Sequence, residues 1–207
     1  TYFRVTAVSG RSISYASGCT NESSAFASGG IAPLRYVTVG EDADTAKTIS
    51  GNILIASNIA TLTSTGHGFV VGDVVVIAGL AQKEANGAFA ITAVADANTL
   101  AVNLTKAAVA SAANVADVAN VSSTAVAGSP TAIRVIEAIP TVDSTRVSFS
   151  NSSPFTMTVN PTATLPGSTA VHARVGVGAI RDNKSNSYAG IADATSWNFG
   201  TTTGPST

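Results

Sequence analysis

Two histidines, His67 and His172, and one cysteine, Cys19, are the side chains best suited to nucleophilic or general-base work. A thiol nucleophile needs a base beside it. His67 lies between Gly66 and Gly68, a tight turn, and His172 lies in an alternating segment beside Arg174, where it reads as an outward surface side chain. A single cysteine permits neither an intrachain disulfide nor a cysteine-rich zinc site. The acidic run Gly40-Glu41-Asp42-Ala43-Asp44 offers oxygens to calcium. It lacks the spacing and distal glutamate of a calcium loop, and reads as a solvated turn. Asp182 and Asn183 have cation-binding side chains but need no role beyond a turn. Trp197 has a ring that can stack on a sugar, and in a closing strand it reads as core. Asn21-Glu22-Ser23 matches a glycosylation sequon, a triplet that chance often produces. The sequence holds no paired carboxylates, phosphate-cradling glycine loop, nucleophile elbow or metal-ligand cluster. No catalytic, cofactor-binding or metal-binding residue is assigned, and the expectation is that the chain is not an enzyme.

The elements that would position any of these residues are strands. The stretch 61–104 organises the chain. Val74-Val75-Val76-Ile77 is β-branched, too short for a helix, and bounded by Gly72-Asp73 and Gly79. Phe89, Ile91 and Ala93 alternate with Ala90, Thr92 and Val94, the period of a half-buried strand. Asp96-Ala97-Asn98 makes a turn, after which Leu100, Val102 and Leu104 alternate; Asn86-Gly87 separates this hairpin from its upstream partner. The spacing predicts a small, strongly bent antiparallel sheet, a partial barrel.

His67-Gly68-Phe69, Val71-Gly72-Asp73-Val74-Val75, Asn86-Gly87, Phe89, Ile91-Thr92-Ala93-Val94 and Asn98-Thr99-Leu100 together resemble a small β module. That module recurs in phage tail, fibre and other virion proteins, and in some secreted bacterial proteins. The resemblance covers about forty residues and implies a structural role rather than a reaction.

Charged residues make up 11% of the chain and the formal net charge is −1. Weak repulsion between copies favours association. No basic patch is present, so nucleic acid is not an expected partner. No apolar run approaches the ~20 residues that span a membrane. Thr1-Tyr2-Phe3-Arg4 does not read as a signal peptide; it reads as an end left by methionine removal or by processing.

Near the start, Phe3-Arg4-Val5-Thr6-Ala7-Val8, then Ser9-Gly10, Ile13 and Tyr15, echoes the hairpin at 89–102. The echo predicts a hairpin without the rest of its module. Residues 1–16 are therefore expected to pair with another segment or another copy. Ser17 to Pro33 is a loop, and Leu34 to Val39 a strand. Ile49, Ile53, Ile55 and Ile59 lead into the central stretch. Lys106 to Ala127 is low in complexity, and predicts either a short helix or an irregular crossing segment. Gly128-Ser129-Pro130 follows as the expected boundary.

Residues 129–207 show short alternating runs about Ile133, Val147, Met157, Val171 and Trp197, the pattern of a β-sandwich. Leu165-Pro166-Gly167-Ser168-Thr169, Gly178-Ala179-Ile180-Arg181-Asp182, Asn186-Ser187-Tyr188-Ala189-Gly190 and Trp197-Asn198-Phe199-Gly200-Thr201-Thr202 look like a bacterial immunoglobulin-like domain of the surface and adhesin type. Ser185 stands where that family has glycine, and Val171 where it has an aromatic. The resemblance covers roughly the last forty-five residues and implies spacing, decoration or adhesion.

The expected fold is all-β: a small β-barrel-like region at 1–128, with its module core at 61–104, and an immunoglobulin-like β-sandwich at 129–207. The expected function is a structural subunit of a phage-like particle: capsid decoration, tail tube or fibre. It would be a homo-oligomer in the virion, with copies of itself and other virion proteins as partners. The alternative is a secreted or cell-surface adhesin-type module that binds a host-surface glycan.

Overall fold

The structure, a computed structural model, describes residues 7–9, 12–14, 36–104, 120–141, 143–149, 156–180 and 188–202. Its strands are, in order, β1 (Ala7–Ser9), β2 (Ser12–Ser14), β3 (Tyr36–Glu41), β4 (Lys47–Thr48), β5 (Ser50–Ala56), β6 (Ile59–Thr63), β7 (Val74–Ala78), β8 (Gly87–Asp96), β9 (Thr99–Asn103), β10 (Val121–Ala125), β11 (Thr131–Val135), β12 (Glu137–Pro140), β13 (Val147–Phe149), β14 (Met157–Val159), β15 (Ala170–Val175) and β16 (Asn198–Gly200). Among the described residues the one helical turn is a 3-10 turn at Lys83–Ala85. The protein is all-β, with antiparallel pairing throughout.

The larger sheet is organised by one interrupted ladder. Thr131 opposes Thr48, Ala125 opposes Asn52, and Val121 opposes Ile55. Between these pairs the Ile49 N–H donates to the Pro130 carbonyl and the Val126 N–H to the Gly51 carbonyl, each at 2.8 Å. The stretch 121–132 thus runs antiparallel along 47–55, broken but not ended around Pro130. On its other side β11 pairs with β7, then β7 with β8, β8 with β9, β9 with β6, and β6 with β5. The pairings return to the stretch where they began. Ile53, Ile55, Leu62, Val75, Ile77, Phe89, Ile91, Leu100 and Val102 fill the inside, all buried.

Local chemistry sets the turns. Ser57 and Asn58 both have positive φ (50° and 62°), the geometry of a two-residue turn that matches strand twist, and they join β5 to β6. Asn86 shapes the connection before β8: it accepts from the Leu80 N–H and donates to the Leu80 and Gln82 carbonyls. Asp96 accepts from the Asn98 N–H, closing the β8–β9 turn.

The alternation expected along β8 holds only to Ile91. The pairing with β9 slips one residue between Ile91 and Ala93, a bulge. Ala93 is therefore exposed, and Val94 packs against the core in its place. Likewise, of the apolar run Phe69-Val70-Val71, only Phe69 is buried. Val70 and Val71 (59% and 62% exposed) sit on a turn closed by the Asp73 N–H to the Val70 carbonyl. Gly72, at φ 96°, supplies the third position of that turn.

The smaller sheet has the order β12-β3-β15-β16. One face carries Val37, Val39, Ile139, Val171, Ala173 and Val175, covered by the ribbon of β13 and β14. Strand β3 lies upstream of the larger sheet, yet pairs with β12 and β15. Strand β11 lies beyond Gly128-Ser129-Pro130, yet pairs with β7. The pairing changes sheets at Ile136, whose N–H bonds to the Val39 carbonyl, rather than at residue 128. The physical reason is that Pro130 loses a donor but keeps the carbonyl that Ile49 uses. At the start of the chain β1 and β2 form a hairpin, Val8 opposite Ile13, and among the described residues these two strands pair only with each other.

Leu62 is fully buried in this packing. Leu62→Ala is expected to destabilise the fold by about 2–5 kcal/mol in urea unfolding, whereas Val70→Ser and Val71→Ser should stay within about 0.5 kcal/mol of the parent.

Candidate functional site

The acidic turn after β3 is exposed at Asp42 and Ala43, as a solvated turn is, and its two aspartates also make it a clasp. His172 Nδ1 lies 2.9 Å from Asp42 Oδ1. A carboxylate only accepts, so Nδ1 carries the proton. Asn198 Nδ2 donates to Asp42 Oδ2 at 2.9 Å. Asp44 accepts from Arg134 Nε and Nη2 at 3.0 and 2.8 Å, and Arg134 Nη1 lies 3.8 Å from Asp73. Asp42 thus holds β15 and β16, and Asp44 holds β11. One short turn ties the smaller sheet to the larger.

His172 is a correction to the sequence reading: it is 3% exposed, not an outward surface residue. On that face of β15 Ala170 is exposed and Arg174 half-buried, but the imidazole is buried beside Gly40 and Asp42, contacts that alternation alone does not show. Its ring packs on Gly40, where an added Cβ would lie 3.3 Å from the imidazole Cε1 and Nε2. A bare backbone at position 40 leaves the ring its room.

His67 is buried as well, at 2% exposure. Its Nδ1 accepts from the Phe69 N–H at 2.9 Å, and its ring stacks on Phe69 with centroids 5.3 Å apart. The two histidines serve separate packing tasks, His172 in β15 and His67 in the connection between β6 and β7. Trp197 is partly buried and packs against the core of the smaller sheet. Cys19, Asn21, Asp182 and Asn183 lie outside the described residues. Among the described residues no three His, Cys, Asp or Glu side chains gather in a metal-binding group.

A second polar cluster pins the ribbon to the smaller sheet. Glu137 accepts from the Thr162 and Ala163 N–H groups at 2.8 and 3.0 Å, from the Thr162 hydroxyl, and from Arg146. Burial raises its pKa, but these donors outweigh burial and leave it below the ordinary carboxylate value. Asp143 accepts from the Thr145 hydroxyl and from Arg146, which lower its pKa to about 2. Sequence reasoning passed over both carboxylates, because Glu137 sits in an apolar run and Arg146 only becomes its neighbour through the fold.

The remaining candidate is a sheet edge. The two edges of the smaller sheet differ. Strand β12 carries Pro140 and the Glu137–Arg146 pair, devices that blunt an edge. Strand β16, Asn198-Phe199-Gly200, is uncharged and exposed along its length. The Ala173 N–H donates to the Trp197 carbonyl and the Thr201 N–H to the Thr169 carbonyl. Residues 197, 199 and 201 therefore turn their backbone groups toward β15, and Asn198 and Gly200 turn theirs outward. Phe199, in register with the buried Val171, is still 41% exposed. What this edge can do is accept a strand.

Asp42→Ala should cost about 1–3 kcal/mol in urea unfolding, because it strands the buried His172 N–H. Asp42→Asn should recover part of that loss, since the amide oxygen still accepts from the imidazole. The lowered pKa values of Glu137 and Asp143 contribute stability above the ordinary carboxylate range. That contribution is lost as pH falls from about 4 toward about 2. Melting temperature measured against pH should fall through that window, with a shallower fall in Glu137→Gln.

Compared with protein-family models, with curated proteins and with solved structures, this chain matches none.

Proposed function

We propose that this chain is a structural subunit of a phage-like particle, a capsid decoration, tail tube or fibre component, that self-associates through β-sheet edges. The observation that supports the reading most directly is the edge at β16: uncharged, exposed on every residue, with Phe199 standing out of the core. Natural edges are usually blunted by charge, proline or a covering segment. An unblunted one in a chain with 11% charged residues suits close packing against copies of itself. In this reading the ring of pairings is the barrel-like assembly body. The smaller sheet and its ribbon are the immunoglobulin-like body that faces outward or bridges to a neighbour. Its mechanism is mechanical: backbone hydrogen bonds across edges and burial of exposed apolar side chains.

Negative-stain electron microscopy with multi-angle light scattering is expected to show rings, discrete oligomers or filaments of the purified chain. A monomer at all concentrations that captures a glycan on an array would contradict the proposal and favour an adhesin-type module.

A further inference from the structure

We propose that His67 is an acid-operated latch: a proton taken up by its ring releases Phe69 and the connection 65–71 between β6 and β7. The inference is independent of self-association. Both ends of the connection are anchored. The Ser64 N–H donates to the Asn98 carbonyl at 2.7 Å, and the Gly72 N–H to the Ile91 carbonyl at 2.9 Å. Between these anchors His67 and Phe69 are buried, while Val70 and Val71 stand in solvent. The Phe69 N–H donates to His67 Nδ1 at 2.9 Å, and the two rings stack. Gly66 and Gly68, at φ 60° and 69°, flank the histidine, and nothing lies within 4 Å of a Cβ at either. They are hinges with room to turn.

In this geometry the ring is neutral. Nδ1 spends its lone pair on the Phe69 N–H, so Nε2 carries the ring proton. Nε2 is buried and has no hydrogen-bond partner. A second proton can go only to Nδ1, where it faces the Phe69 N–H, donor against donor. The bond to Phe69 then breaks, and the imidazolium is left buried with two unmet N–H groups. No carboxylate offsets that charge. Across β6 to β9 and the connection 64–73, the titratable side chains are His67, Asp73 and Asp96. Asp73 accepts from the Val70 N–H at 3.0 Å, and Asp96 from the Asn98 N–H at 2.7 Å. The adjoining elements add Glu84, exposed on the 3-10 turn, and Arg134 of β11, which bonds to Asp44. Among the described residues no charged side chain pairs with His67. His172 is built the other way. Its Nδ1–H faces the Asp42 carboxylate, so a proton on its Nε2 leaves that bond in place.

A solvent-exposed imidazole takes up its proton near pH ~6.5. The released connection binds that proton and the latched one does not, so opening gains up to about tenfold for each pH unit below that range. Hydrogen exchange of the full chain tests this, with each amide rate divided by that of unstructured chain at the same pH. The Phe69 amide should lose at least about tenfold in protection between about pH 7.5 and about pH 5, while the amides of β6 and β9 keep theirs. His67→Asn is the control. Its carboxamide oxygen reaches the N–H two residues on, as Nδ1 does, and takes up no proton in this range. Its Phe69 amide should hold one level of protection throughout. Nuclear magnetic resonance of ring-labelled histidine reads the parent by itself: His67 should carry its proton on Nε2 at the higher pH and be doubly protonated at the lower. Phe69 protection that is flat with pH in the parent overturns the latch. So does an equal fall in His67→Asn, or a fall that β9 shares, which is global unfolding. An Nδ1–H tautomer of His67 at the higher pH overturns it without any variant.

Discussion

Closure of the larger sheet depends on one stretch, 121–135, whose residues up to 132 run along 47–55 and whose β11 also pairs with β7. Every other pairing in that sheet joins segments that follow one another more closely, such as β5 with β6, β7 with β8, and β8 with β9. Those hairpins form from local turns. Only the ladder at Thr131–Thr48 and Ala125–Asn52 brings the far ends together, and it leaves β10 and β4 each paired on one side alone. The buried apolar side chains inside gain their enclosure from it, because Ile49 and Ala132 both lie on the closing strands.

The same closing stretch sets where the smaller sheet can sit. Strand β11 runs through Val135 and the chain enters β12 one residue later, beside β3. A joint that short leaves little freedom. The acidic turn then removes most of what remains, with Asp44 on Arg134 of the closing strand and Asp42 on His172 and Asn198 of the smaller sheet. Charge is scarce in this chain, and six of its charged side chains tie elements together: Asp42, Asp44, Arg134, Glu137, Arg146 and Asp143. Exposed ion pairs contribute little on their own. Here their use is positional, since each has several hydrogen-bond partners drawn from different elements.

Strand chemistry was plain in the sequence wherever local pattern governs. Val74 to Ile77, Phe89 to Ile91 and Leu100 to Val102 are strands because β-branched and alternating residues between glycine and asparagine turns leave no other economical fold. The misreadings share one cause, which is tertiary contact that period-2 counting cannot see. His172 alternates like a surface residue, but its ring is buried against Gly40 and bonded to Asp42. Ala93 alternates like a core residue, but a bulge turns it out. The acidic turn reads as solvated, and in the fold His172, Asn198 and Arg134, distant in sequence, also arrive on it. Pro130 reads as a boundary because proline interrupts a ladder, yet its carbonyl keeps the ladder going.

Native-state hydrogen exchange measures the closing ladder most directly. The amides of Ile49 and Val126 bond across it. If the ladder closes the sheet, both amides exchange only through global unfolding, with the same free energy and urea dependence as the amides of β6 and β9. Exchange of Ile49 and Val126 by a lower-energy local opening, with β6 and β9 still protected, would mean that the sheet is open and that the account is wrong.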